Sequence, residues 1–202
     1  MEVVYGGKKR DEAKKVLVMI HGRGASARDI LSLADHLEAD DFALVAPQAT
    51  NHTWYPYSFL SPPAQNEPWL SSALDGLKGI VDGLMKDGIP SSGIYLLGFS
   101  QGACLTLEFA ARNATRYGGV IAFTGGLIGD AIDSTNYGGD FGGTPIFSGS
   151  SDPDPHVPVA RVRESVQLLR DLNAKVVERI YPGLGHTINA DELKEANRIL
   201  TL

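Results

Sequence analysis

The chain has 202 residues, 18 of them Lys or Arg against 24 Asp or Glu, for a formal net charge of −6. That length suits one domain over residues 1–202 with a single core burying roughly 70% of the unfolded surface, and the acidic balance argues against nucleic acid as a partner. Hydrophobic residues at 43% and charged residues at 21% are ordinary globular values. No apolar run approaches the roughly 18 residues that span a bilayer. The single cysteine, Cys104, cannot close an internal disulfide. With no charged-then-apolar leader ahead of the polar stretch from Gly6 to Lys15, a soluble cytoplasmic protein is the expectation.

Short β-branched runs alternate with longer stretches of helical period. Glu2 to Tyr5 reads as an edge strand and Val16 to His21 as the first core strand, followed by a helix over Ala27 to Glu38 and a strand over Phe42 to Ala46. Pro47 to Pro68 carries Trp54, Tyr55, Tyr57 and Phe59 among several prolines, which predicts an irregular surface excursion with the character of a lid. A helix is expected over Trp69 to Asp87, a strand over Ile94 to Phe99, a helix over Gln101 to Asn113 and a strand over Gly119 to Phe123. Gly125 to Gly143 shows no convincing period. The remainder reads as strand Pro145 to Ser148, helix Val159 to Leu172, strand Lys175 to Tyr181 and helix Ala190 to Leu200. Val162, Val166, Leu169 and Leu172 form one apolar stripe on the fourth of these helices. The alternation predicts an α/β fold: a mostly parallel sheet with helices on both faces and no large cap domain.

Gly98-Phe-Ser-Gln-Gly102 stands where an apolar strand runs into a helix, the setting of a G-x-S-x-G nucleophile elbow. The turn is tight enough that its two flanking positions need glycine, and it presents Ser100 at a helix N-terminus, where backbone N–H groups favour negative charge. Acyl transfer also needs donors for the oxyanion. The N–H of Gln101, just after the serine, is one candidate, and the N–H of Arg23 in the loop His21-Gly-Arg-Gly24 is the other. His21 reads as a buttress of that loop, and His36 as a surface residue of an amphipathic helix. Of the five histidines only His186 lies in a short Gly-rich loop, Pro182 to Thr187, between the last strand and the last helix, in the chain order serine, acid, base.

Two aspartates qualify as the acid. Counting from the strand favours Asp152; counting back from a helix start fixed by Pro158 favours Asp154, the steadier ruler. The other is expected to bond the backbone of the turn. Trp54 and Tyr55 are candidates for a substrate-binding wall, since rigid aromatics give apolar contact at little entropic cost; packing of the loop onto the body is the equal alternative. Cys104 reads as a small core residue. No zinc-ligand spacing occurs, and neither a metal nor an organic cofactor is expected.

The elbow, the His-Gly-x-Gly loop, the Asp-Pro-x-Val-Pro segment and the Gly-x-Gly-His segment occur in order, and together they resemble the phospholipase/carboxylesterase family that includes the acyl-protein thioesterases. The resemblance extends over nearly the whole chain. It implies Ser100, Asp154 and His186 as a triad, with Arg23 and Gln101 as oxyanion donors. Two departures stand out. The acid loop looks two residues longer than the family's pattern, which keeps Asp152 as the alternative acid. Arg23 occupies a position where an apolar residue is common in the thioesterases, pointing away from a long-acyl, protein-bound substrate. The expected function is a serine carboxylesterase acting on small to medium carboxylic esters. A thioesterase or lysophospholipase with the same triad is the alternative among enzymes, and a non-catalytic hydrolase-fold binder the alternative from another class. A small-molecule ester is the expected partner. No residue argues for a homodimer or against one.

Overall fold

A computed structural model describes residues 2–202. Among these, seven strands form one sheet in the order β1-β3-β2-β4-β5-β6-β7. They are β1 (Val3–Gly7), β2 (Lys15–Ile20), β3 (Phe42–Pro47), β4 (Ile94–Phe99), β5 (Gly119–Phe123), β6 (Pro145–Asp152) and β7 (Lys175–Pro182). Only β1 runs antiparallel to its neighbour. The helices are α1 (Ala27–Ser32), α2 (Trp69–Lys86), α3 (Gln101–Arg112), α4 (Val159–Asp171) and α5 (Ala190–Leu200).

The central strands are apolar at nearly every position because both of their faces are covered. Val16, Val18 and Ile20 of β2 join Leu77 and Val81 of α2, Leu105 and Leu107 of α3 and Val162 and Leu169 of α4 in one core. Leu17 and Met19 point the other way, to Ala27 and Ile30 of α1 and to Ala196, Ile199 and Leu200 of α5. β7 lies at the edge of the sheet and alternates exposed with half-buried residues.

Two elements depart from expectation, each for a tertiary reason. The helix after β2 ends at Ser32 and tightens into a 3-10 turn over Leu33–His36. Beyond it Leu37 turns into the core, and the Glu38 N–H is taken by the Asn197 side chain of α5 at 2.8 Å. β6 runs to Asp152, four residues past Ser148, because β7 supplies a ladder as far as Asp152 opposite Pro182. The Gly-Ser-Ser-Asp composition of that extension has little strand propensity, so only the partner strand creates it.

Residues 48–68 hold no strand or α-helix, as expected of an irregular excursion, and several of their side chains pack onto the body of the protein. Trp54, Tyr55, Phe59 and Asn66 are buried, and short 3-10 turns occur at Thr50–His52 and Pro63–Asn66. Trp54, Tyr55 and Phe59 hold it down, whereas Tyr57 is exposed. Among the described residues no helix is long and apolar enough to cross a membrane.

Candidate active site

Parallel strands bring their carboxyl ends to one edge of the sheet, where loops from several strands meet. β4 passes into α3 through Ser100, whose φ of 55° and ψ of −121° lie in the left-handed half of backbone space. A non-glycine residue is rarely held there without compensation. The Ser100 N–H donates to the Phe123 carbonyl at 3.0 Å, and the Ser100 carbonyl accepts from Cys104 N–H at 3.0 Å, so the turn is fixed at both ends. A Cβ on Gly98 would strike the Gly102 carbonyl, and one on Gly102 would strike the Ile20 carbonyl. Both glycines are therefore required by close backbone approach.

The Ser100 Oγ lies 2.7 Å from His186 Nε2, and His186 Nδ1 lies 2.9 Å from Asp154 Oδ2. A carboxylate only accepts, so Nδ1 carries the proton and Nε2 is left as acceptor for the serine hydroxyl. An imidazole so placed can take up that proton as the oxygen attacks an electrophile.

Asp154 is fully buried at its side chain, and its Oδ1 accepts the N–H groups of His156 at 2.8 Å and Val157 at 2.9 Å. Burial works to raise the carboxyl, but the bonds from His156, His186 and Val157 outweigh it and hold Asp154 below the ordinary carboxylate range. Asp152 is exposed at the end of β6; its backbone carbonyl accepts from Gly183, and its side chain makes no hydrogen bond among the described residues. Of the two aspartates, Asp154 is the one brought to His186.

The histidine loop owes its shape to Gly183 and Gly185, with φ of 64° and 78°. Asn189 and Glu192 form a reciprocal capping box at the start of α5 and fix where the chain leaves that loop. Ser151, which sequence reasoning missed, accepts the Gly185 N–H at 2.9 Å and sits 3.0 Å from the Pro153 carbonyl, tying the acid loop to the histidine loop. Nothing local marks Ser151, since only the pairing of β6 with β7 brings it there. His186 is also flanked by Phe99, with ring centroids 5.3 Å apart, and by His156, edge-on at 5.0 Å.

Gly22 faces the elbow, and a Cβ built on it would lie 3.5 Å from Ser100 Cβ. Neither the Arg23 N–H nor the Gln101 N–H finds a backbone or side-chain acceptor among the described residues. Two unpaired amides beside a nucleophilic hydroxyl can stabilise an oxyanion. His21 is buried beneath this loop: its Nε2 accepts Ala49 N–H at 3.1 Å, and its Nδ1 donates to the Gly22 carbonyl at 2.7 Å. Burial lowers its basicity and outweighs the Gly22 bond, as suits a neutral buttress.

An open cavity of about 830 Å³ stands over Ser100, with Arg23, Tyr55, Tyr57, Phe59, Leu60, Phe99, Cys104 and Val157 among its lining. Tyr55 is part of this wall. Trp54 is not: it packs behind the wall, its ring centroid 4.9 Å from that of His21 and its Nε1–H donating to the His21 carbonyl at 2.8 Å.

The model of the family described as Phospholipase/Carboxylesterase matches residues 3–202, and the chain belongs to that family, whose members are hydrolases of the α/β-hydrolase fold. The solved structure of a phospholipase/carboxylesterase from Dyadobacter fermentans is similar at 53% identity and a TM-score of 0.97, covering 98% of this chain and 96% of that one. Esterase PE8 is similar at 25% identity and a TM-score of 0.83, with 98% and 96% covered. The acyl-protein thioesterase 1 of Kluyveromyces lactis is 28% identical over 100% of this chain and 97% of its own length. A probable carboxylesterase of Oryza sativa subsp. japonica is 26% identical over 89% and 74%.

Proposed function

We propose that the protein is a serine carboxylesterase that hydrolyses small to medium carboxylic esters through an acyl-enzyme. The observation that carries this reading is the continuous hydrogen-bond chain Ser100, His186, Asp154 beneath an open cavity. Ser100 Oγ attacks the ester carbonyl while His186 Nε2 takes its proton, and the Arg23 and Gln101 N–H groups hold the oxyanion. The imidazolium, stabilised by Asp154, returns the proton to the departing alcohol. Water activated by the same imidazole then releases the carboxylic acid and regenerates the serine.

A thioester substrate is the second reading, favoured by the thioesterase named among the full-length relatives. Against a long acyl chain stands Arg23, whose guanidinium reaches across the edge of the cavity. A panel of p-nitrophenyl esters of increasing chain length, run beside the matching acyl-CoA thioesters, separates the two. Short esters are expected to turn over fastest, and a preference for long-chain thioesters would favour the second. No turnover of any of them, with no fluorophosphonate adduct on Ser100, would leave a binding protein.

Within the active enzyme, Ser100→Ala and His186→Ala are each expected to lower kcat about 10⁴-fold or more, without additivity. Asp154→Asn should cost about 10³- to 10⁴-fold by the same logic, whereas Asp152→Asn should stay within about threefold. The reverse order for the two aspartates would overturn the assignment of the acid.

A further inference from the structure

We propose that the Arg23 guanidinium is a positioning group for the reaction, holding the Arg23 backbone amide and one wall of the cavity in a single fixed relation. The inference rests on the serine-esterase reading above. Arg23 lies in a turn flanked by Gly22 and by Gly24, whose φ is 78°. Such neighbours give the chain no intrinsic stiffness. The Gly24 N–H donates to the His52 carbonyl, and the Gly22 carbonyl, which shares a peptide plane with the Arg23 N–H, accepts the Ala25 N–H at 3.2 Å and His21 Nδ1 at 2.7 Å, so the plane is anchored from within the loop while the Arg23 N–H finds no acceptor among the described residues.

The side chain ties this anchored turn to the wall it faces. Its Nη1 donates to Thr53 Oγ1 and to the Pro56 carbonyl, both at 2.9 Å, and its Nη2 donates to the Tyr57 carbonyl at 2.7 Å. The guanidinium carbon also lies 5.9 Å from the centroid of the Tyr55 ring. A planar fork with several donors can span three acceptors, which a single ammonium cannot reproduce. Gln101, the other proposed donor, grips the same strip: its Oε1 accepts Trp54 N–H at 3.0 Å, and its Nε2 donates to the Tyr55 carbonyl at 2.8 Å. The two residues proposed as oxyanion donors thus hold residues 53–57 with their side chains, and Tyr55, Pro56 and Tyr57 line the cavity. A shift of that wall is transmitted to the donors, and a substrate seated against it sets them.

Arg23 is exposed, so its bonds matter more to geometry than to stability. The test is steady-state kinetics on p-nitrophenyl acetate and butyrate for wild type, Arg23→Met, Arg23→Lys and Arg23→Ala, with thermal unfolding of each. A donor displaced by a fraction of an ångström weakens an interaction made only in the transition state. Arg23→Met should therefore lose about 30- to 100-fold in kcat, KM staying within about threefold. Its Tm should stay near that of wild type. Arg23→Lys should recover little, and millimolar guanidinium should restore part of kcat in Arg23→Ala while leaving wild type unchanged. An unaltered kcat in Arg23→Met, a loss confined to KM, or full recovery by lysine would each overturn the proposal while leaving the esterase reading intact. A wild-type protein with neither turnover nor labelling of Ser100 would sink both.

Discussion

Two irregular segments, residues 47–68 and 125–143, are each held by one arginine that reaches over from a neighbouring element. In the first, Arg23 is exposed and forks onto Thr53 Oγ1 and the carbonyls of Pro56 and Tyr57. In the second, Arg161 of α4 is 7% exposed and donates to the carbonyls of Leu127, Gly129 and Asp130 at 3.1, 2.5 and 3.0 Å. Ser165 and the buried Glu108 add to that grip by accepting the N–H groups of Leu127 and Ile128. The common cause is that backbone without a ladder still needs partners, and side chains from regular elements provide them. The difference is location. The first segment lines the cavity and the second contributes no described residue to it, so we propose that the same device serves reaction geometry in one case and stability in the other. The segments meet where Gly129 N–H donates to the Phe59 carbonyl at 2.7 Å.

Removing the buried fork should give the largest effect. Arg161→Met leaves three carbonyls without their charged donor and is expected to cost about 3 kcal/mol or more in urea unfolding, with kcat per folded molecule unchanged. A large loss of kcat at intact stability would break the contrast between the two arginines. A smaller effect is expected from Asn66→Ala. The buried Asn66 amide accepts Tyr57 N–H at 2.9 Å and donates to the Ser58 carbonyl at 3.0 Å. Its loss should cost about 2 kcal/mol and, by loosening the wall, raise KM for the butyrate ester more than for the acetate. Equal changes for both esters would place the wall outside acyl recognition.

The smallest signal comes from Cys104, whose thiol lies between Tyr55 of the first segment and the Gly126 backbone of the second. Burial pushes it up to about 12, against the weaker opposing pull of those two neighbours. At pH 8 the wild type should resist iodoacetamide, since the thiolate is the nucleophile. Slow alkylation, followed by mass, should appear first in Arg161→Met and Asn66→Ala. Rapid alkylation of the native wild type would contradict the burial of the thiol.

Much of the site was legible in the chain because its chemistry depends on local geometry. The elbow needs glycine at 98 and 102 and a serine between a strand and a helix, and all of these are visible as residues. Counting back from Pro158 led to Asp154, whose carboxylate lies within hydrogen-bond distance of His186, although Pro158 itself stands at the cap and the helix begins at Val159. Counting from the strand pointed to Asp152, since the hidden end of β6 is made by β7 and not by its own composition. Trp54 and Tyr55 could not be told apart because their neighbourhood is irregular and carries no period to orient them.

The order of residues by itself determined the layered α/β architecture, the elbow and the family, since apolar periodicity and backbone sterics act within short stretches. Only the tertiary structure decided which aspartate meets His186, that Trp54 lies behind the cavity wall and that Ser151 joins the acid and histidine loops. It also decided that Arg23 and Gln101 between them grip residues 53–57. Each of these depends on groups far apart in the chain, and their contacts are fixed by strand register and by the partners that buried polar atoms must find.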